Sequence, residues 1–260
     1  MAFDRHTKAR SARDVGCSSA ALLSPQCSRR RHPMVSLVGR LLVVSTMATN
    51  ITLVISESSG AAVRAVTVTT IPIGSLGPLK AAPKPGRTGP EVVPVPNAPA
   101  LASLSHAASG RTVDGIQCGS SEQTLFHIHT HLTIFVNGVP RRIPYGIGIP
   151  GAQAQNTSST PFVVSGKCFY WLHVHAADGI IHIESPDKRT YTLGQFFDEW
   201  GQPLGPDQVG PATGPVTVLY NGNVFKGNPR SVPLGAHTQI QLEVGSPLIA
   251  PEKIRFRSGL

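Results

Sequence analysis

Methionine is scarce in this 260-residue chain, with three residues at positions 1, 34 and 47. That excludes a Met-rich copper-trafficking motif. Cysteine is almost as rare: four residues, of which Cys17 and Cys27 lie near the N-terminus and Cys118 and Cys168 lie further on. A nucleophile elbow, a phosphate-cradling loop and a paired-carboxylate motif are all missing, so those chemistries have no support in the sequence. An excess of basic charge is missing from most of the chain. Residues 1–110 hold 12 Lys+Arg against 4 Asp+Glu, whereas residues 111–260 hold 11 against 10, so +8 of the net +9 belongs to the first part. The remainder is nearly neutral, which argues against a nucleic-acid-binding surface. A long uninterrupted apolar run is also lacking. The stretch 35–55 is apolar but broken by Arg40, Ser45, Thr46, Thr49, Asn50 and Thr52.

The first part reads as address and tether. Arg29-Arg30-Arg31 precedes the apolar stretch, residues 41–55 have the length of a signal-peptide core, and Gly60-Ala61-Ala62 follows. Residues 1–56 are therefore expected to be a leader carrying either a cleaved export signal or a retained membrane anchor. Residues 57–110 carry eight prolines and are expected to form a disordered spacer, in which a short strand over 66–71 has no evident partner. Residues 111–260 form the expected folded domain. The location implied is extracytoplasmic.

Histidine is what this chain does have. Six of its ten histidines fall between positions 127 and 182, and they alternate. The run Phe126-His127-Ile128-His129-Thr130-His131-Leu132 places imidazoles at i, i+2 and i+4, Trp171-Leu172-His173-Val174-His175 repeats the spacing, and His182 lies in Gly179-Ile180-Ile181-His182-Ile183-Glu184. On a strand, period-2 spacing puts such residues on one face, with Ile128, Thr130, Leu132, Leu172 and Val174 turned to a core on the other. Imidazoles crowded on one face repel if protonated, and a metal relieves this by binding the neutral form. His129 and His131 with His173 and His175 are the expected chelating set, and His127 and His182 are further ligands or a second site. Glu184 can orient His182 or act as a base, whereas Asp178 makes a turn. Imidazole ligands suit copper or zinc, although spacing alone does not choose between them. Three functions compete: a non-catalytic metal-binding domain, a metal hydrolase or oxygenase with a three-His centre, and an interaction module with a pH-sensitive histidine face. The partner expected is a metal ion, with membrane attachment through the N-terminal segment if the anchor is retained; protein partners do not follow from the sequence.

The fold class expected is mostly β, α+β by strict naming: an antiparallel domain of two hairpin-like units with one short helix on the sheet. Each unit is a strand ending in an Asn-Gly turn and followed by Pro-Arg-x-apolar-Pro, at Asn137-Gly138 with Pro140-Arg141 and at Asn221-Gly222 with Pro229-Arg230. Thr192 is the expected N-cap of a helix whose Leu193, Phe196, Phe197 and Trp200 share one face, and Gly201 ends it. Cys118 and Cys168 precede the two histidine rows by nine and five residues, so neighbouring strands would bring them together as a disulfide.

The motifs His-x-His-Leu-Thr-Ile-Phe-Val-Asn-Gly, Tyr170-Trp171-Leu172-His173-x-His175, Gly179-Ile180-Ile181-His182-Ile183-Glu184-Ser185-Pro186 and Thr192-Leu193-Gly194-Gln195-Phe196-Phe197 resemble a group of uncharacterised bacterial exported or anchored His-rich proteins over about residues 115–250. The resemblance implies export or anchoring and brings no established activity.

Overall fold

The computed structural model describes residues 49–51, 66–157 and 159–260. The expected signal or anchor lies almost wholly outside these residues. No helix among the described residues is long and apolar enough to cross a membrane.

Alternation in the histidine runs produces strands, as the period demands. We number the strands of the main sheet β1 (Thr49–Ile51), β2 (Val68–Ile71), β3 (Phe126–Val136), β4 (Val139–Arg141), β5 (Leu172–His173), β6 (Ile180–Ser185), β7 (Val216–Tyr220), β8 (Asn223–Phe225) and β9 (Gln239–Val244). Their order is β1-β2-β8-β7-β9-β3-β6-β5, and β4 pairs with β3. The two hairpins turn at Asn137-Gly138 and Asn221-Gly222, all four residues with positive φ, as a two-residue turn of this hand requires. The expected antiparallel pattern holds except at the join between the two units. There β9 runs parallel to β3, pairing Gln239 with His131 and Val244 with Val136.

One face of this sheet is apolar. Leu132 and Ile134 of β3, Ile181 and Ile183 of β6, Leu172 of β5 and Ile240, Leu242 and Val244 of β9 join a single core. Helix α1 (Leu193–Trp200) closes it, and Leu193, Phe196, Phe197 and Trp200 are each fully buried. Thr192 caps α1 through a reciprocal pair of hydrogen bonds with Gln195, and Gly201 ends it in the left-handed conformation. This helix, its caps and its apolar face are as the sequence leads one to expect.

The Pro-rich stretch is a correction to the sequence reading. From residue 66 onward it belongs to the folded unit and is no free spacer. Its strand β2 has a partner, β8, with Val224 opposite Ile71. Val93, Val95 and Leu101 are buried. Lys80 forms a bridge with Ile249, and Ala100 with Arg142. Proline disfavours regular ladders, but it leaves extended chain free to lie over a face already formed elsewhere.

Candidate metal centre

Pairing register builds the centre. His129 of β3 lies opposite His182 of β6, which lies opposite His173 of β5. Glu184 lies opposite His127. Directly opposed residues on neighbouring strands carry side chains on the same face, about 5 Å apart. Three strands thus line up three imidazoles across the sheet, and the i+2 neighbours His127 and His175 extend the row.

The face they share is not open to water as a surface row would be. His129, His173, His175 and His182 are each 7% exposed or less, whereas the His127 side chain is 38% exposed. Phe162 stacks on the His175 ring at 5.0 Å, and Phe169 meets His173 edge-on. Glu91, 3% exposed and in the Pro-rich stretch, lies against His182.

Nitrogen atoms converge in two groups. In the first, His127 Nε2 lies 3.0 Å from His129 Nε2, which lies 3.1 Å from His182 Nδ1. Glu184 Oε1 stands 3.0 Å from His127 Nε2 and 3.2 Å from His182 Nδ1. In the second, His173 Nε2 and His175 Nε2 face each other at 3.1 Å. His173 Nδ1 donates to the Tyr170 carbonyl at 2.8 Å, and His175 Nδ1 to the Val163 carbonyl at 2.7 Å. A neutral imidazole carries one N–H. Both facing Nε2 atoms are then lone pairs, and two lone pairs 3.1 Å apart in a buried site repel unless a cation stands beside them.

Burial, then the neighbouring imidazoles, pushes His129 down to about 3. The same two causes hold His173 well below its usual value and also lower His175. Burial alone would lower His182 as well. Hydrogen bonds that the His182 ring donates to Glu184 and Glu91, with the charge of both carboxylates, outweigh it and raise His182 to about 9. The centre therefore holds neutral imidazoles, the ligand form, around His182, which the two carboxylates keep protonated near neutral pH, so a metal ion at its Nδ1 has to displace a proton.

His131 is in register with the row but does not join it. Buried at 6% exposure, it pairs Nε2 with the Asp178 carbonyl at 2.9 Å, and burial takes it down to about 4. The expected set of His129, His131, His173 and His175 therefore loses His131, while His127, His182 and Glu184, placed second from the sequence, move into the first rank. His237 stays apart, with Nε2 on the Leu260 carbonyl. Cys118 and Cys168 form the expected disulfide.

Two residues escaped the sequence reading. Glu91 Oε1 accepts from His182 Nε2 at 2.8 Å, which aims the opposite nitrogen, Nδ1, into the first group. It projects from a tight turn in which Gly89 N donates to the Val93 carbonyl and Val92 takes φ 63°. A β-branched residue there is strained, and such strain gathers at functional sites. A signal was present, because Glu91 is the single acid between positions 58 and 113. Glu122 Oε1 lies 3.3 Å from His175 Nε2, with its side chain 39% exposed at the rim. Nothing in its local pattern marked it.

Fold and site together define a β-sheet protein with a buried histidine–carboxylate cluster able to hold a metal ion. Comparison with known proteins found no matching family model, no matching curated protein and no matching solved structure.

Proposed function

We propose that this protein is an extracytoplasmic binder of a divalent transition metal, copper or zinc. The observation that carries the reading is the convergence of imidazole nitrogens whose opposite ring atoms are already tied, to the Tyr170 and Val163 carbonyls and to Glu91. Metal-bound histidines nearly always have this outer partner, because it fixes the tautomer and raises the basicity of the ligating nitrogen. Imidazole with carboxylate suits zinc and copper(II). The extracytoplasmic location is supported by the Cys118–Cys168 disulfide, since such bonds persist in oxidising compartments, and by the basic and apolar leader. The resemblance to exported or anchored His-rich proteins points the same way.

A metalloenzyme is the second reading, favoured by the half-open side chains of His127 and Glu122, which give solvent a route to the ligands. A pH-sensitive histidine face fits poorly with four imidazoles buried away from solvent. Metal content by mass spectrometry tests the proposal. The full chain is loaded with copper or zinc and dialysed exhaustively, beside a His129→Ala/His173→Ala variant. Retention by the wild type and loss in the variant support it, and an empty wild type overturns it.

A further inference from the structure

His127, His129, His173, His175, His182, Glu184 and Glu122 are too many for one ion, and with both Glu184 oxygens counted they offer eight donor atoms, four for each of two. We propose that the cluster is a two-ion centre in which Glu184 is the bridging carboxylate; this rests on the metal-binding reading above. The first ion takes His127 Nε2, His129 Nε2, His182 Nδ1 and Glu184 Oε1. Neighbouring members of that set lie 3.0 to 3.2 Å apart, close to the spacing of donors that surround one ion at about 2.0–2.2 Å. The second ion takes His173 Nε2, His175 Nε2, Glu122 Oε1 and Glu184 Oε2.

Glu184 is the hinge of the argument. Its residue is 3% exposed, and its Oε1 is engaged by His127 and His182. Its Oε2 is buried and has no hydrogen-bond partner. A buried carboxylate oxygen left unpaired costs a large desolvation penalty. That oxygen points toward the second group, 3.9 Å from His173 Nε2. A cation between them satisfies both the oxygen and the opposed lone pairs of His173 and His175. A single ion in the first group would leave those three atoms as they are.

The division also follows the ring atoms. His182 lies near both groups, stacked on His173 at 5.3 Å and edge-on to His175 at 4.7 Å. Its Nε2 is taken by Glu91, which leaves Nδ1, paired with Glu184 Oε1 and beside His129 Nε2, as its donor to the first ion. His173 and His175 lie within reach of His182 as well, and Glu122 clusters with His173 and Glu184; with His182 committed to the first ion, Glu122, 3.3 Å from His175 Nε2, is the fourth donor of the second. Each ion then has four protein donors, with the rim at His127 and Glu122 as the side from which a further ligand arrives. A carboxylate bridge typically holds two such ions about 3.5–4 Å apart, the separation used to clamp an oxygen shared by both.

Copper(II) titration of the full chain tests this without any variant. Metal content and electron paramagnetic resonance are read at each step. Two ions per chain are expected, with an isolated-ion spectrum at low loading that becomes magnetically coupled as the second equivalent binds. His127→Ala/His129→Ala and His173→Ala/His175→Ala are each expected to keep one ion and lose the coupling, with circular dichroism checking the fold. One ion per chain in the wild type, or two whose spectra never couple, overturns the bridged centre and leaves metal binding intact. No retained copper or zinc overturns both.

Discussion

Glu91 gives His182 its orientation, because a carboxylate on Nε2 leaves Nδ1 as the ligating atom. Glu91→Gln keeps the shape and removes the charge. Loss of an outer partner of this kind typically weakens metal binding 10- to 100-fold. We expect that drop, without unfolding, in competition against a chromophoric chelator; equal affinities would mean that His182 needs no support. A second acid speaks to stability. Burial, followed by Glu252, raises Glu243 to about 7 against the hydrogen bonds from Gln241 and the Ile249 amide. Between the ordinary carboxyl value of 4.5 and about 7, the folded state holds a proton that the unfolded state has released. Its contribution is therefore complete below about 4.5 and is lost as the pH rises to about 7. Melting temperature should fall over that window, and Glu243→Gln should flatten the fall; parallel profiles would refute this. Alternation made the six histidines readable at this scale. Glu91 stood out only as a lone acid in its stretch; its partner could not be read, because it is 91 positions from His182 in the chain and no local period records such a contact.

At the scale of elements, glycine sets how closely β5 can approach its neighbours. Gly148 has φ 73°, and a Cβ there would lie 2.1 Å from the Leu172 carbonyl oxygen and 2.8 Å from His173 Cβ. Gly148→Ala must push β5 outward and carry His173 with it, while β3 and β6 keep their pairing. It should lower the metal stoichiometry at His173 and His175 and spare the His127 side, as metal analysis of the purified variant would show; an unchanged content would mean that β5 yields without moving its ligands. Helix α1 makes the opposite case, since it holds no ligand. Trp200 is fully buried, and its Nε1 donates to the Ser103 carbonyl. Trp200→Ala should cost about 3–5 kcal/mol in denaturant melts and leave metal affinity in the folded fraction unchanged. The hairpins and α1 were legible because Asn-Gly and the Thr192–Gly201 frame are local signals. The parallel β3–β9 pairing was not, because both strands read as ordinary alternating segments and the pattern names no neighbour.

For the whole molecule, the disulfide and the N-terminal cover act on the same centre from two sides. Cys118 and Cys168 close a loop 50 residues long that contains Glu122, all of β3 and the Val163 carbonyl. Reduction should lower stability by about 4 kcal/mol on the chain-entropy model. It should also loosen the Glu122 side first, giving weaker retention of metal under reductant in dialysis; retention that ignores the redox state would show that the loop is held without the bond. The extent of the folded unit was misjudged from composition, because proline content signals the lack of a self-made core and says nothing about a core borrowed from elsewhere.

The parallel ladder has a consequence for the order in which the protein comes into being. Strand β3 carries two of the proposed ligands, His127 and His129, yet its β9 neighbour follows about a hundred residues later, with Gln239 opposite His131. A chain made or threaded from its N-terminus presents the imidazoles long before that last strand arrives, and non-local pairings of this kind close slowly. If the centre takes a metal as proposed, the ion enclosed would depend on what the surrounding fluid offers while the chain is still emerging, and the compartment of folding would act as the first filter on it.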